Sequence, residues 1–95
     1  MTTIKIDFTE ITDMEEFYVS LKENLKLPDH FGDNLDALFD YITGEAEMPM
    51  KMEFENMSVD QLEEFEDLIN TLEDAEEELE DFTFRYYLEL FDDGE

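Results

Sequence analysis

Apolar residues change their period several times along the chain, and each change marks an element. Ile4, Ile6 and Phe8 alternate with Lys5 and Asp7, the period of two expected of a strand with one buried face. Met14, Phe17, Tyr18, Leu21 and Leu25 then recur at helical intervals, and Thr12 stands three residues before Glu15 at the spacing of a capping box. The pattern predicts a first helix over 13–26 that closes before Pro28, because the residue preceding a proline avoids the helical region. Gly32 interrupts the chain. Asp33 or Asn34 can cap a second helix with Leu35, Leu38, Phe39 and Ile42 on its apolar side and Gly44 just past its end as the C′ residue. After Pro49, Met50, Met52 and Phe54 alternate with Lys51, Glu53 and Glu55 as a second strand. Ser58 and Gln61 repeat the capping-box spacing, and Leu62, Phe65, Leu68, Ile69, Leu72, Ala75 and Leu79 predict one amphipathic helix of about six turns. Phe82, Phe84, Tyr86, Leu88 and Leu90 predict a third strand.

Two strands joined through a long helix form a βαβ unit, which implies a right-handed crossover between parallel strands and places the chain in the α/β class. Met48, Met50, Met52 and Met57 read as core and strand packing. With 95 residues the chain makes one domain, expected over 1–91, followed by a short acidic tail at 92–95.

Charge narrows the function. Thirty Asp and Glu stand against five Lys and Arg, a formal net charge of −25. Such a chain is repelled by nucleic-acid phosphates and anionic lipid, so its natural partner is a cation. High charge with few apolar residues would mean disorder, but 42% of residues are hydrophobic and 14% aromatic, enough for a folded core. Cysteine is absent, which removes disulfides, thiolate zinc sites and cysteine nucleophiles together. No apolar run reaches membrane-span length, and the expected location is the cytoplasm. A nucleophilic triad has only His30 to draw on, and no Gly-x-Ser-x-Gly turn exists. The segment 29–40 lacks EF-hand spacing, with Gly32 too early and no glutamate at the twelfth position. The expectation is therefore a protein that is not an enzyme and holds no metal or cofactor.

Asp33, Asp36 and Asp40 are the informative acids. At about 100° per residue they fall within an arc of ~60° on the second helix, away from Leu35, Leu38, Phe39 and Ile42. The helix dipole favours Asp33 and Asp36, which sit near its amino end. It does not favour Asp40, a poor helix former placed four residues after a like charge. A residue that breaks several local rules points to a function. The acids of the long helix, Glu63 to Glu80, read instead as a solvated face. His30 could act as a proton switch, but an isolated histidine in a loop beside Phe31 is more often an ordinary surface or half-buried residue.

The segment from Leu27 to Gly44, LPDHFGDNLDALFDYITG, resembles the barstar family of ribonuclease inhibitors. That family carries Leu-Pro, an acid, an aromatic pair, Gly, an acid, then Asn-Leu-Asp-Ala-Leu-aromatic-Asp and a closing Thr-Gly. The resemblance implies a small three-stranded parallel sheet packed with helices. It further implies an intracellular protein, a monomer when free, that blocks the active site of a secreted basic ribonuclease. Asp36 and Asp40 would enter the cationic phosphate-binding site in place of RNA phosphates. Asn34, Phe39, Thr43 and Gly44 match other contacting positions, His30 and Phe31 stand at the aromatic pair, and Asp74 is the best match for a contacting acid near the end of the last helix, with Glu73 or Glu76 as alternatives. Three positions depart from the pattern: His30 replaces a tyrosine, Phe39 a tryptophan and Glu45 another aromatic contact. A second reading is an acidic binding module of the same fold that sequesters a different cationic protein, and a third is an acidic chain adapted to solubility or high salt.

Overall fold

Strands β1 (Thr2–Asp7), β2 (Met50–Met57) and β3 (Phe82–Leu88) form one parallel sheet in the order β1-β2-β3. The computed structural model describes residues 2–25, 27 and 31–89; His30, Leu90 and the acidic tail at 92–95 lie outside the described residues. A short 3-10 turn (Phe8–Glu10), α1 (Met14–Asn24) and α2 (Leu35–Gly44) connect β1 to β2, and α3 (Val59–Glu64) and α4 (Glu66–Glu78) connect β2 to β3. The α/β class and the parallel sheet are those expected from the sequence.

Register explains which face is buried. Ile4 pairs with Met52 and Met52 with Phe84, while Ile6 pairs with Phe54. These residues, with Met50 and Phe82, form the sheet's share of the core against the helices. The alternate positions carry Lys5, Glu53 and Arg85 in register across the three strands. Parallel sheets are usually covered on both faces; here the second face is made compatible with water by charge. Glu53 lies on the central strand, is only 8% exposed, and keeps a partner in Lys51 at 3.1 Å.

Helix ends follow local hydrogen-bond chemistry. The α1 N-cap is Asp13, whose carboxylate accepts from the Glu16 N–H at 2.9 Å. Thr12 instead donates both its N–H and its hydroxyl to the Glu16 carboxylate, each at 2.7 Å, so the capping arrangement sits one residue later than the expected Thr12–Glu15 box. These bonds, first from the Thr12 hydroxyl and then from its N–H, hold the Glu16 carboxyl below its usual range. The helix also stops at Asn24, short of 26, because Leu25 turns to extended backbone and buries its side chain in the core. Gly44 is the last residue of α2 and not a C′ glycine; the N–H groups of Glu45 and Ala46 both donate to the Tyr41 carbonyl at 2.8 Å and close the helix there.

The long helix expected after β2 is two helices. Ser58 and Gln61 do form a complete capping box. The Gln61 amide also donates to the carbonyls of Phe8 at 2.9 Å and Ile11 at 2.8 Å, tying α3 to the turn after β1. That tie fixes the direction of α3, and the chain re-aims at Phe65 (φ −104, ψ 24) before α4 can lay Leu68, Ile69, Leu72 and Ala75 on the core. The end of β3 differs as well. Phe54 pairs with Tyr86 and Met57 with Leu88, so Glu55 and Asn56 together oppose Tyr87, with Asn56 at φ 61. A bulge of this kind bends and twists the strand pair, and Tyr86 and Leu88, expected to continue the buried face, are exposed.

Phe54 is fully buried and meets Phe8 (ring centroids 4.7 Å), Phe84 (4.9 Å) and Phe17 (5.6 Å), while Phe65 meets Phe8 at 5.3 Å. Phe54→Ala should lower unfolding free energy by about 3–5 kcal/mol, read as a fall in urea midpoint with an unchanged slope. Tyr18, 3% exposed, packs on Phe17 at 5.3 Å and its hydroxyl has no hydrogen-bond partner among the described residues. Burial, and secondarily the Asp33 carboxylate, push its phenol up to about 12. A phenol raised in the folded state favours folding below the unfolded value of about 10, and that contribution is lost as pH climbs from there towards 12. Tyr18→Phe should therefore resist alkaline unfolding better than the wild type, measured by circular dichroism against pH.

Candidate functional site

Asn34 starts the candidate binding helix. Its side-chain oxygen accepts from the Ala37 N–H at 2.7 Å, so its first role is to cap α2. A Cβ on Gly32 would lie 2.9 Å from the side-chain Nδ2 of Asn34, so a larger residue there would press on the cap. Leu38 and Ile42 bury the inner side of α2, and this fixes where the other side points. Asp36 and Asp40 are exposed, with Leu35 and Phe39 half-buried beside them.

Opposite α2 stands α4. Leu35, Asp36, Phe39 and Asp40 from one helix and Thr71, Asp74, Glu77 and Glu78 from the other line a single open cleft of about 610 Å³. Asp74, matched to the site only by a loose correspondence, thus shares a cleft with Asp36 and Asp40. The two alternatives do not: Glu76 turns to β3, pairing with Arg85 at 3.0 Å and accepting from the Phe84 N–H at 3.4 Å, and Glu73 is not among the lining residues. Glu77 and Glu78 were not singled out from the sequence. The signal was there in the spacing of Thr71, Asp74 and Glu78, which fall on one helix face, but a run of acids hides such a face.

Among the described residues the cleft carries five carboxylates and no basic residue. Among the described residues the ion pairs are Lys22–Asp33, Lys51–Glu53 and Arg85–Glu76, none of them in the cleft. Asp33 therefore separates from Asp36 and Asp40: its charge is met by Lys22 at 2.9 Å. Among the described residues no group of three carboxylate or histidine side chains could hold a metal ion.

Other expected contact residues have prior engagements. The Thr43 hydroxyl donates to the Phe39 carbonyl at 2.8 Å, leaving its oxygen free only to accept. Gly44 is exposed with nothing within 4 Å of where a Cβ would stand, so a partner's backbone can come close. Phe31 is half-buried between Tyr18, at 6.1 Å, and Tyr41, at 6.3 Å. At the far end of α2, Tyr41, Glu45 and Glu47 line a second recess with Thr2, Asn24, Leu25 and Met50. Burial, then Glu45 and Glu47, raise the Tyr41 phenol above its ordinary value.

Two comparisons bear on this arrangement. A family model described as "Barstar (barnase inhibitor)" matches residues 1–90. A protein of Bacillus subtilis (strain 168) named "Putative ribonuclease inhibitor YrdF" is 32% identical over 84 residues, covering 85% of this chain and 92% of that one. A match of that extent over sheet, helices and cleft together means that the chain belongs to the barstar family.

Proposed function

We propose that this protein inhibits a basic ribonuclease by lodging α2 and the facing side of α4 in the enzyme's cationic active site. The observation that carries this reading is the convergence of Asp36, Asp40 and Asp74 in one cleft with no neutralising cation among the described residues. A nuclease binds RNA through clustered basic residues, and carboxylates aimed at that cluster gain charge-assisted hydrogen bonds while denying the site to phosphate. Asn34, Phe39, Thr43 and Gly44 complete the contact face along α2, Phe31 flanks its entry, and His30 is assigned to the same face by the family pattern alone. The protein acts by occupancy, has no reaction of its own, and works as a monomer in the cytoplasm of the cell that makes the nuclease. Among the described residues no helix is long and apolar enough to cross a membrane.

Phe39 and Glu45 bear on which nuclease is bound. Glu45 replaces an aromatic contact by an acid and stands beside Glu47 at the recess below α2. A partner with a basic residue at that point of its rim fits this chain better than one with an apolar pocket. A cationic protein other than a ribonuclease would meet the same electrostatic requirement, and inhibition assays on a panel of small basic ribonucleases separate the two readings.

Asp40→Ala is the decisive variant. It removes a like-charge neighbour of Asp36 and installs the best helix former, so the free protein should be no less stable. Binding should fall by about 3 kcal/mol or more, since a buried arginine cluster is left without its counter-charge. Glu64→Ala, exposed on α3, should change Kd by less than about 1 kcal/mol. Equal affinities for the two variants, against a ribonuclease that binds the wild type, would remove the cleft from the site. Association should also be steered: between about 0.01 and 1 M salt the screening length shrinks from ~30 to ~3 Å, and stopped-flow association should slow at least about tenfold while dissociation changes far less.

A further inference from the structure

Lys22 is out of place. On a chain of net charge −25 whose proposed partner is cationic, a lysine near the binding helix weakens long-range attraction. Yet its Nζ reaches both Asp33 oxygens, at 2.9 and 3.2 Å. Asp33 directly precedes Asn34, the residue that caps α2. One turn back on α1, Tyr18 carries the ring against which Phe31 packs. Tyr18 and Lys22 are four residues apart and so lie on one side of α1. The segment from Phe31 to Asn34 is therefore tied to α1 at two points, an aromatic contact and an ion pair, immediately before the binding helix begins.

We propose that Lys22 is a positioning residue for the binding face: through Asp33 it holds the entry of α2, and so the placement of Asp36 and Asp40, ready for the partner. The role rests on the inhibitor reading, but the clamp itself can be tested without a partner. It also predicts a sign opposite to that of bulk electrostatics. Removing a cation makes the chain more negative and, through charge alone, should tighten binding to a basic nuclease. Removing a clamp should loosen it.

Lys22→Met and Lys5→Met make the same change of charge. Lys5 is exposed on the sheet face that the helices leave open, in register with Glu53, and belongs to no part of the cleft. In the free protein, amide exchange at Ala37, whose N–H Asn34 caps, should quicken roughly two- to fivefold in Lys22→Met, the range expected for a half-exposed ion pair. Lys5→Met and Lys22→Arg should keep the wild-type rate. Against a basic ribonuclease that binds the wild type, Lys22→Met should dissociate faster by a similar factor, with association no slower, and Lys5→Met should bind as well as wild type or slightly better. Unchanged exchange at Ala37 in Lys22→Met would dispose of the clamp, and tighter binding of both variants would dispose of its role in recognition. If the wild type binds no ribonuclease, the inhibitor reading and the recognition role fall together, while the exchange data still decide the clamp.

Discussion

The ring of Phe54 is where the sheet, the turn after β1 and α1 meet. It lies on the central strand and touches Phe8 from the turn after β1, Phe17 from α1 and Phe84 from β3, while Phe65, at the junction of α3 and α4, reaches it through Phe8. A chain of 95 residues buries a smaller share of its surface than a larger domain, and it must hold together thirty carboxylates that repel one another. Packing of large rings at well-defined angles supplies much apolar contact from few residues. The α2–α4 cleft lies one step further out: Phe65, packed on Phe8, stands where the chain turns from α3 into α4.

The cleft is the reverse of the core in its chemistry. Asp36, Asp40, Asp74, Glu77 and Glu78 stand together with no cation among the described lining residues. Lys51 and Arg85 are spent on Glu53 and Glu76, at or beside the sheet. Neither of these two basic residues lines the cleft. On the proposed function, unmet charge in the free state is what a cationic partner would relieve, and the repulsion within the cleft would become part of the driving force for binding.

Much of this was legible in the residues. Periods of two and of 3.6 identify the strands and most of the helices, and the poor placement of Asp40 marks the proposed site before any geometry is known. What the sequence concealed is of three kinds. Caps slip by one residue when two adjacent side chains compete, as Thr12 and Asp13 do for the first turn of α1. Breaks imposed from a distance leave no local mark: Gln61 bonds to carbonyls about fifty residues away, and neither glycine nor proline announces the turn at Phe65. The partition of acids into cleft, ion pair and solvent depends on which neighbour lies across, so Asp74 and Glu76 look alike in sequence and face opposite duties in the fold.

Glu76 has a consequence for how copies of the protein tolerate one another. The outer edge of β3 is a row of backbone groups able to recruit a further strand. At Phe84 that row is closed, because the Glu76 carboxylate accepts its N–H and pairs with Arg85 alongside. From Tyr86 to Leu88 no such closure exists among the described residues, and the side chains there are aromatic and aliphatic. Along that stretch the molecule relies on mutual repulsion between like-charged coats. Colloidal protection of this kind disappears as acidification approaches the isoelectric point near 4.1, which leaves the far end of β3 as the stretch open to strand-to-strand pairing in acid.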